Sequence, residues 1–309
     1  MRLAPLLLLL ALCGALVACG GGDDDDDEAG KQPATQSADP RVPEPGDPAV
    51  FSALAALPGG KVLAGELVSG TVRELPGRRV VARVPVKAGG QRGLLGLAID
   101  GDGGIYAAST AEDLRLVVDR IAPGERERIY DGPKSTELGI GGHIAFADDG
   151  RLLLGIGDLG GGEKIDDPEA LNGKLVSLDP EGSPDQRPRI LSGGWHNPFA
   201  FDLDERGRVW IADNAPGTLP ERIGRGDGED RAITVLDGRR APSGVAMLSP
   251  RALALCGVVS GKLERFRRDA GGRWKPAGTI ARDCRYGVLK TSDGRLAVSG
   301  SDGVRFVTP

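Results

Sequence analysis

The sequence predicts an all-β protein, a six-bladed β-propeller, and three observations carry that reading. The chain of 309 residues contains 49 Gly and 22 Pro without a triplet period. This excludes collagen and describes a body rich in turns rather than long helices. A unit recurs in which an apolar strand, a turn centred on Asp-Gly or Gly-Gly, and a second strand of alternating apolar residues follow one another. The unit returns about every 45 residues, a period that belongs to radially repeated sheets. A sandwich shows no such period and a β-helix a much shorter one.

Residues 1–19 read as an address. Arg2 supplies a positive start, Leu3 to Leu16 an apolar run, and Leu16-Val17-Ala18-Cys19 a small-residue cleavage pattern. The apolar run is too short for an ordinary transmembrane helix. With Cys19 at the first mature position, the pattern resembles the lipobox of bacterial lipoproteins, which implies lipidation of Cys19 and export to the cell envelope. Residues 20–48 open with three glycines, continue with an acidic run from Asp23 to Glu28, and end Pro-rich. Such a segment cannot bury a core, and its like charges extend it, so it reads as a solvated tether. Residues 1–48 together hold 9 acidic and 3 basic residues; set against the 44 and 39 of the whole chain, that leaves the body with 35 and 36. A nearly neutral body without a basic block argues against a nucleic-acid partner.

Residues 49–309 form the propeller domain. Its repeated hairpins are Leu57 to Ala64, Ile99 to Ala108, Phe146 to Gly155, Phe201 to Ala212 and Leu289 to Val298. A degenerate copy at Met247 to Leu255 turns around Pro250. The turn glycines Gly60, Gly104, Gly150, Gly207 and Gly294 keep the period once that copy is counted, giving six units. Asp-Gly between alternating apolar runs predicts tight hairpins with positive φ at both central positions. Gly70 to Leu75, Leu116 to Ile121, Gly173 to Leu178 and Gly261 to Phe266 supply third strands. With Cys13 removed and Cys19 lipidated, the domain keeps Cys256 and Cys284, and the count fits a disulfide or two separate buried thiols equally well. Trp210 lies in a strand pattern and reads as core; Trp195 and Trp274 are candidates for stacking on sugars. Gly155-Ile156-Gly157-Asp158-Leu159-Gly160 fits G-x-G-x-x-G, but no helical pattern follows it, so it is read as a loop with Asp158 near one face.

Four segments go further when taken in order: Gln91-Arg92-Gly93-Leu94-Leu95-Gly96-Leu97-Ala98, Gly141-Gly142-His143-Ile144-Ala145-Phe146, Leu171-Asn172-Gly173-Lys174-Leu175 with Leu178-Asp179-Pro180-Glu181-Gly182, and Trp195-His196-Asn197-Pro198. Together they resemble the soluble quinoprotein glucose dehydrogenases, the glucose/sorbosone or aldose sugar dehydrogenases. The resemblance implies a six-bladed propeller holding pyrroloquinoline quinone (PQQ) and calcium on one face. It also implies oxidation of the anomeric carbon of a sugar, with an outside electron acceptor. Gln91 matches the E/Q-x-G-L-L-G element that contacts the quinone. The H-N-G-G-R element falls on Gly139-Ile140-Gly141-Gly142-His143, so Gly139 stands where the family has its histidine base and His143 where it has arginine. The R-N-P element, whose arginine and asparagine bind the quinone, falls on His196 and Asn197, so only the asparagine is kept. Asp213 and Glu221 are what remains of an acidic loop associated with calcium or substrate, and Arg285 stands nearest a late cofactor-binding arginine. An enzyme with these losses needs a new base and new cations. His143 or His196 as the base, or the two histidines together on a metal, are candidates for the former role, and Arg92, Arg225 and Arg285 for the latter. The alternative is a catalytically degenerate propeller that binds a ligand or an envelope partner, since fold does not fix function.

Overall fold

The computed structural model describes residues 49–228 and 231–309. Cys19 and the tether lie outside the described residues. Six antiparallel sheets follow one another along the chain. Blade 1 holds β1 (Phe51–Ala56), β2 (Val62–Glu66), β3 (Thr71–Leu75) and β4 (Arg79–Arg83), and blade 2 holds β5 (Leu94–Ile99), β6 (Ile105–Thr110), β7 (Arg115–Ala122) and β8 (Glu125–Lys134). Blade 3 holds β9 (Gly141–Phe146), β10 (Leu152–Ile156), β11 (Lys174–Leu178) and β12 (Arg189–Ser192). Blade 4 holds β13 (Ala200–Leu203), β14 (Val209–Asp213), β15 (Arg222–Arg225) and β16 (Thr234–Val235). Blade 5 holds β17 (Pro242–Ser249), β18 (Ala252–Gly257), β19 (Lys262–Arg268) and β20 (Trp274–Arg282); blade 6 holds three strands, β21 (Gly287–Lys290), β22 (Leu296–Gly300) and β23 (Gly303–Val307). The sequence repeat is the inner hairpin of every blade, and the degenerate copy around Pro250 is the β17–β18 turn.

The turns differ from the expected type. Gly207 N–H donates to Asp204 O, three residues back, at 2.8 Å. Only the glycine takes positive φ (+68°), while Asp204 Oδ1 accepts the amides of Arg206 and Arg208. Gly150 and Gly294 bond back three residues with positive φ in the same way, and there Asp149 and Asp293 accept the amides of Arg151 and Arg295. A carboxylate that satisfies the turn amides makes a four-residue turn closed by one left-handed glycine, so the second positive φ is unnecessary.

Each sheet packs both faces against its neighbours. The buried apolar residues accordingly fall into clusters at the junctions, such as Leu153, Leu175, Phe201 and Ile211 between blades 3 and 4. Trp210 and Trp274 meet edge to face, ring centres 5.1 Å apart, between blades 4 and 5. All three tryptophans are fully buried, which removes Trp195 and Trp274 as stacking platforms for a sugar. The inner strands line the axis in order, and β21 meets β1. There the ring closes through packing of Leu54, Val62 and Leu75 against Ala297, and through Ser292 Oγ, which donates to Leu57 O and accepts from Gly60 N, both at 3.0 Å.

Cys256 of β18 and Cys284 before β21 form a disulfide, with Cα atoms 5.3 Å apart, which decides between the two readings of the cysteine count. It staples blade 5 to blade 6 and closes a loop 28 residues long. In the chain-entropy model such a loop stabilises by about 3–4 kcal/mol. Replacing both cysteines with serine is expected to lower the unfolding free energy by about that amount in urea titrations, and adding reductant to the wild type is expected to do the same.

Candidate functional site

The loops entering the inner strands gather on one face, and hydrogen bonds across the blade junctions tie them together. Gln91 Oε1 accepts the Gly139 amide at 2.9 Å and Asn197 Oδ1 accepts the Gly141 amide at 3.0 Å. The carbonyl ends of both side chains are thereby fixed on either side of the Gly139–Gly141 turn. Among the described residues neither amide nitrogen has a hydrogen-bond partner, so two oriented donors remain at this face. Asp213, at the end of β14, accepts the amides of His196 and Asn197 through Oδ1 at 2.9 and 2.8 Å, and receives Arg222 Nη2 on Oδ2 at 2.6 Å. Asp213 therefore positions the His196-Asn197 pair.

Gly139, where the sequence resemblance puts the base, has φ of +64°, and a Cβ built on it would lie 2.5 Å from Asp158 Oδ1. The Asp158 carboxylate thus fills the space next to the bare glycine. It is held there by the Gly160 amide on Oδ1 (3.1 Å) and by a bond from its own backbone N–H to His196 O (2.6 Å). Asn172 Nδ2 donates to Asp158 O at 2.7 Å. His196 arrives from the next blade and places Nδ1 3.4 Å from Asp158 Oδ2. The side chains are 15% and 11% exposed, sheltered yet within reach of a solute. Among the described residues His196 Nε2 has no partner. The G-x-G-x-x-G run is the loop that presents Asp158; only a short 3-10 turn, Gly162–Lys164, follows it.

His143 is elsewhere. It sits on β9 with its ring edge-on to Phe201, centres 4.5 Å apart, and to Phe199 at 6.2 Å. With Ser52, Leu97, Asp202 and Ser243 it lines an axial cavity of about 190 Å³. The structure does not bring the two histidines together on a metal, and no group of three or more His, Cys, Asp or Glu placed to hold one occurs among the described residues. Glu221 accepts the Ala241 and Arg240 amides on its two oxygens, at 2.8 and 2.7 Å. Both remnants of the acidic loop are therefore engaged as structural acceptors.

The candidate cations are engaged as well. Arg92 bonds Gly89 O at 2.9 Å and pairs with Glu137 at 3.2 Å. Arg285 bonds Val258 O at 3.0 Å and pairs with Asp283 at 3.4 Å. Arg225 pairs with Asp227 at 3.0 Å, three residues along β15 from the Arg222 that meets Asp213. Sequence reasoning missed Lys174, which is buried with Nζ on Ile165 O and Asn172 O, and the stacking of Arg222 and Arg231 on Trp195. The Lys-Leu alternation of β11 gave no sign that a lysine points inward.

Two predictions follow from this geometry. Restoring the family residue by Gly139→His puts a side chain into left-handed backbone and onto Asp158. A loss of about 2–3 kcal/mol in unfolding free energy is expected by thermal or urea denaturation. Enclosure in the axial cavity lowers the His143 pKa from 6.5 to about 4, partly offset by a bond to the Phe201 backbone. The unfolded chain therefore binds the extra proton first, and His143 costs stability as pH falls from about 6.5 toward 4. Burial raises Asp202 to about 6 against its amide bonds from Met247 and Leu203, which acts with opposite sign in the same window. Comparison with His143→Leu isolates the histidine: wild type is expected to lose on the order of 2 kcal/mol relative to the variant between pH 7 and pH 4.

Comparison with known proteins places the chain. No curated protein sequence matches it. Among solved structures, an oxidoreductase described as a glucose dehydrogenase from Thermus thermophilus is 26% identical, covers 84% of this chain and 94% of its own, and superposes with a TM-score of 0.70. The PQQ-bound aldose sugar dehydrogenase of Streptomyces coelicolor shares the fold at 21% identity, with 86% and 96% covered and a TM-score of 0.68. The apo form of the soluble aldose sugar dehydrogenase of Escherichia coli shares it at 19%, with 84% and 95% covered and a TM-score of 0.69. The family model for glucose/sorbosone dehydrogenase matches residues 50–218, from the first blade into the fourth. With more than half its length matched in this way, the chain belongs to the glucose/sorbosone dehydrogenase family.

Proposed function

We propose that this propeller binds an aldose, without quinone, at the face built by Gln91, Asn197, Asp158 and His196, of which Gln91, His196 and Asn197 stand where the resemblance implies quinone contacts. Two amide donors beside an imidazole–carboxylate pair suit a ring carrying several hydroxyl groups. PQQ carries carboxylates, which need cations to hold them, and calcium needs a set of free oxygen ligands. The residues present do not fit that pair. The observation that carries this reading is the engagement of every candidate clamp: Arg92, Arg225 and Arg285 are each paired with a carboxylate, and the oxygens of Asp213 and Glu221 are taken by backbone amides and Arg222. The lipid on Cys19 and the tether of residues 20–48 would hold the propeller at a bacterial envelope surface.

A second reading rests on the free amide donors of Gln91 and Asn197 and on the PQQ-bound relative. In it the chain is a PQQ- and calcium-dependent dehydrogenase that oxidises the anomeric carbon of aldoses and passes electrons to an outside acceptor. Gln91, His196, Asn197 and Arg285 would hold the quinone.

Calorimetric titration of the full chain in mild detergent separates the two. Our reading expects heat of binding with one or more of glucose, galactose, xylose and mannose at millimolar concentrations. It also expects no binding of PQQ with calcium at tens of micromolar and no dye reduction. Calcium-dependent PQQ binding with aldose-dependent dye reduction would establish the second reading instead.

A further inference from the structure

Resting on the aldose-site reading above, we infer that the His196–Asp158 pair catalyses the opening and reclosure of an aldose ring, interconverting its two anomers without any redox partner. The observation behind this is a trade between blades. Gly139 offers no side chain, and the Asp158 carboxylate occupies the space beside it. The imidazole facing that carboxylate comes from a loop 38 residues away, across the blade junction. Each partner is held from behind: Asp158 by the Gly160 amide and by its backbone bond to His196 O, and His196 by its amide on Asp213. An imidazole whose Nδ1 faces a carboxylate carries its proton there, which leaves Nε2 as an acceptor. Nε2 has no partner among the described residues, and the Gln91 and Asn197 amide nitrogens are free to orient a hydroxylated ring beside it.

The chemistry follows from what such a base can and cannot do. Nε2 takes the proton of the anomeric hydroxyl. The resulting alkoxide oxygen forms a carbonyl to the anomeric carbon as the bond from that carbon to the ring oxygen breaks. The bonding pair stays on the ring oxygen, which takes a proton from water or from the imidazolium. In reclosure the ring-oxygen hydroxyl loses its proton to the base, attacks either face of the aldehyde, and the carbonyl oxygen is reprotonated. Protons and electrons balance, and nothing is oxidised. The alternative fate of the same alkoxide, departure of hydride, needs an acceptor; ring opening needs none. General acid–base catalysis of this kind contributes about 10²–10⁴-fold.

Polarimetry on freshly dissolved α-anomers of glucose, galactose and xylose tests this with the full chain in mild detergent. The expected result is a mutarotation rate that rises linearly with protein and saturates with sugar. His196→Gln is expected to lower the protein-dependent rate at least 100-fold while the calorimetric affinity for the same sugar stays within about threefold. Asp158, as a positioning residue, is expected to show its effect in kcat: Asp158→Asn lowers kcat about tenfold and leaves KM in place, a split that mere unfolding does not produce. A wild-type chain that binds an aldose but leaves its mutarotation at the buffer rate overturns this inference alone, as does full activity in His196→Gln. Failure of both binding and acceleration overturns the aldose-site reading with it.

Discussion

Each sheet of this ring is apolar on both faces, so a blade is stable only between two neighbours and the ring has to close. That constraint organises everything else. Blades 5 and 6 are joined covalently by Cys256 and Cys284, and blade 6 meets blade 1 through apolar packing and the Ser292 bridge. Sheets that bury both faces leave only their ends free, and on the described face those ends are the loops that carry Gln91, Gly139, Asp158, His196 and Asn197. Because neighbouring loops come from different blades, the polar bonds that fix the site cross the junctions: Gln91 to Gly139, Asn197 to Gly141, His196 to Asp158. Ring closure and site geometry are therefore one problem, since a shift at a junction moves both partners of each bond.

The same dependence explains how the site was rebuilt. Gly139 offers no side chain, and the Asp158 carboxylate stands against its bare Cα. With the family's arginine absent from position 196, an imidazole faces that carboxylate. Charge is managed in the same local way. Asp213 and Glu221 spend their oxygens on loop amides and Arg222, and Arg92 and Arg285 lie against carbonyls and carboxylates of their own and neighbouring loops. A face so internally satisfied offers amide donors and one base, which suits a neutral polyhydroxylated ring better than a polyanion.

Much of the fold is legible in the sequence because four of the six inner hairpins repeat a local rule, an Asp that satisfies turn amides followed by a left-handed Gly. The outer strands are less legible. β16 is only Thr234–Val235, and β8 and β20 are too polar along their exposed sides to alternate cleanly. Of the site, Gln91 and Asn197 stand out because they sit in compact motifs. His196 stands out only as one of two candidate bases; its pairing with Asp158 does not, because that partner is set by the angle between two blades, a quantity no local pattern encodes. His143 illustrates the converse. Its place in a recognised motif suggested a base, yet as the third residue of β9 it faces the axial cavity and packs on Phe201. Motif position could not reveal the direction in which strand register turns the side chain.

On the proposed function, the imidazole facing a bound aldose is that of His196, oriented by Asp158, while His143 belongs to the axial lining. The chain has only two histidines, so a two-dimensional spectrum of the imidazole nitrogens shows each separately, assigned by a single His143→Gln variant. Titrating the full chain with the aldose it binds should move the His196 nitrogens, Nε2 most, and leave those of His143 in place. Movement of the His143 nitrogens with those of His196 unchanged would contradict the account.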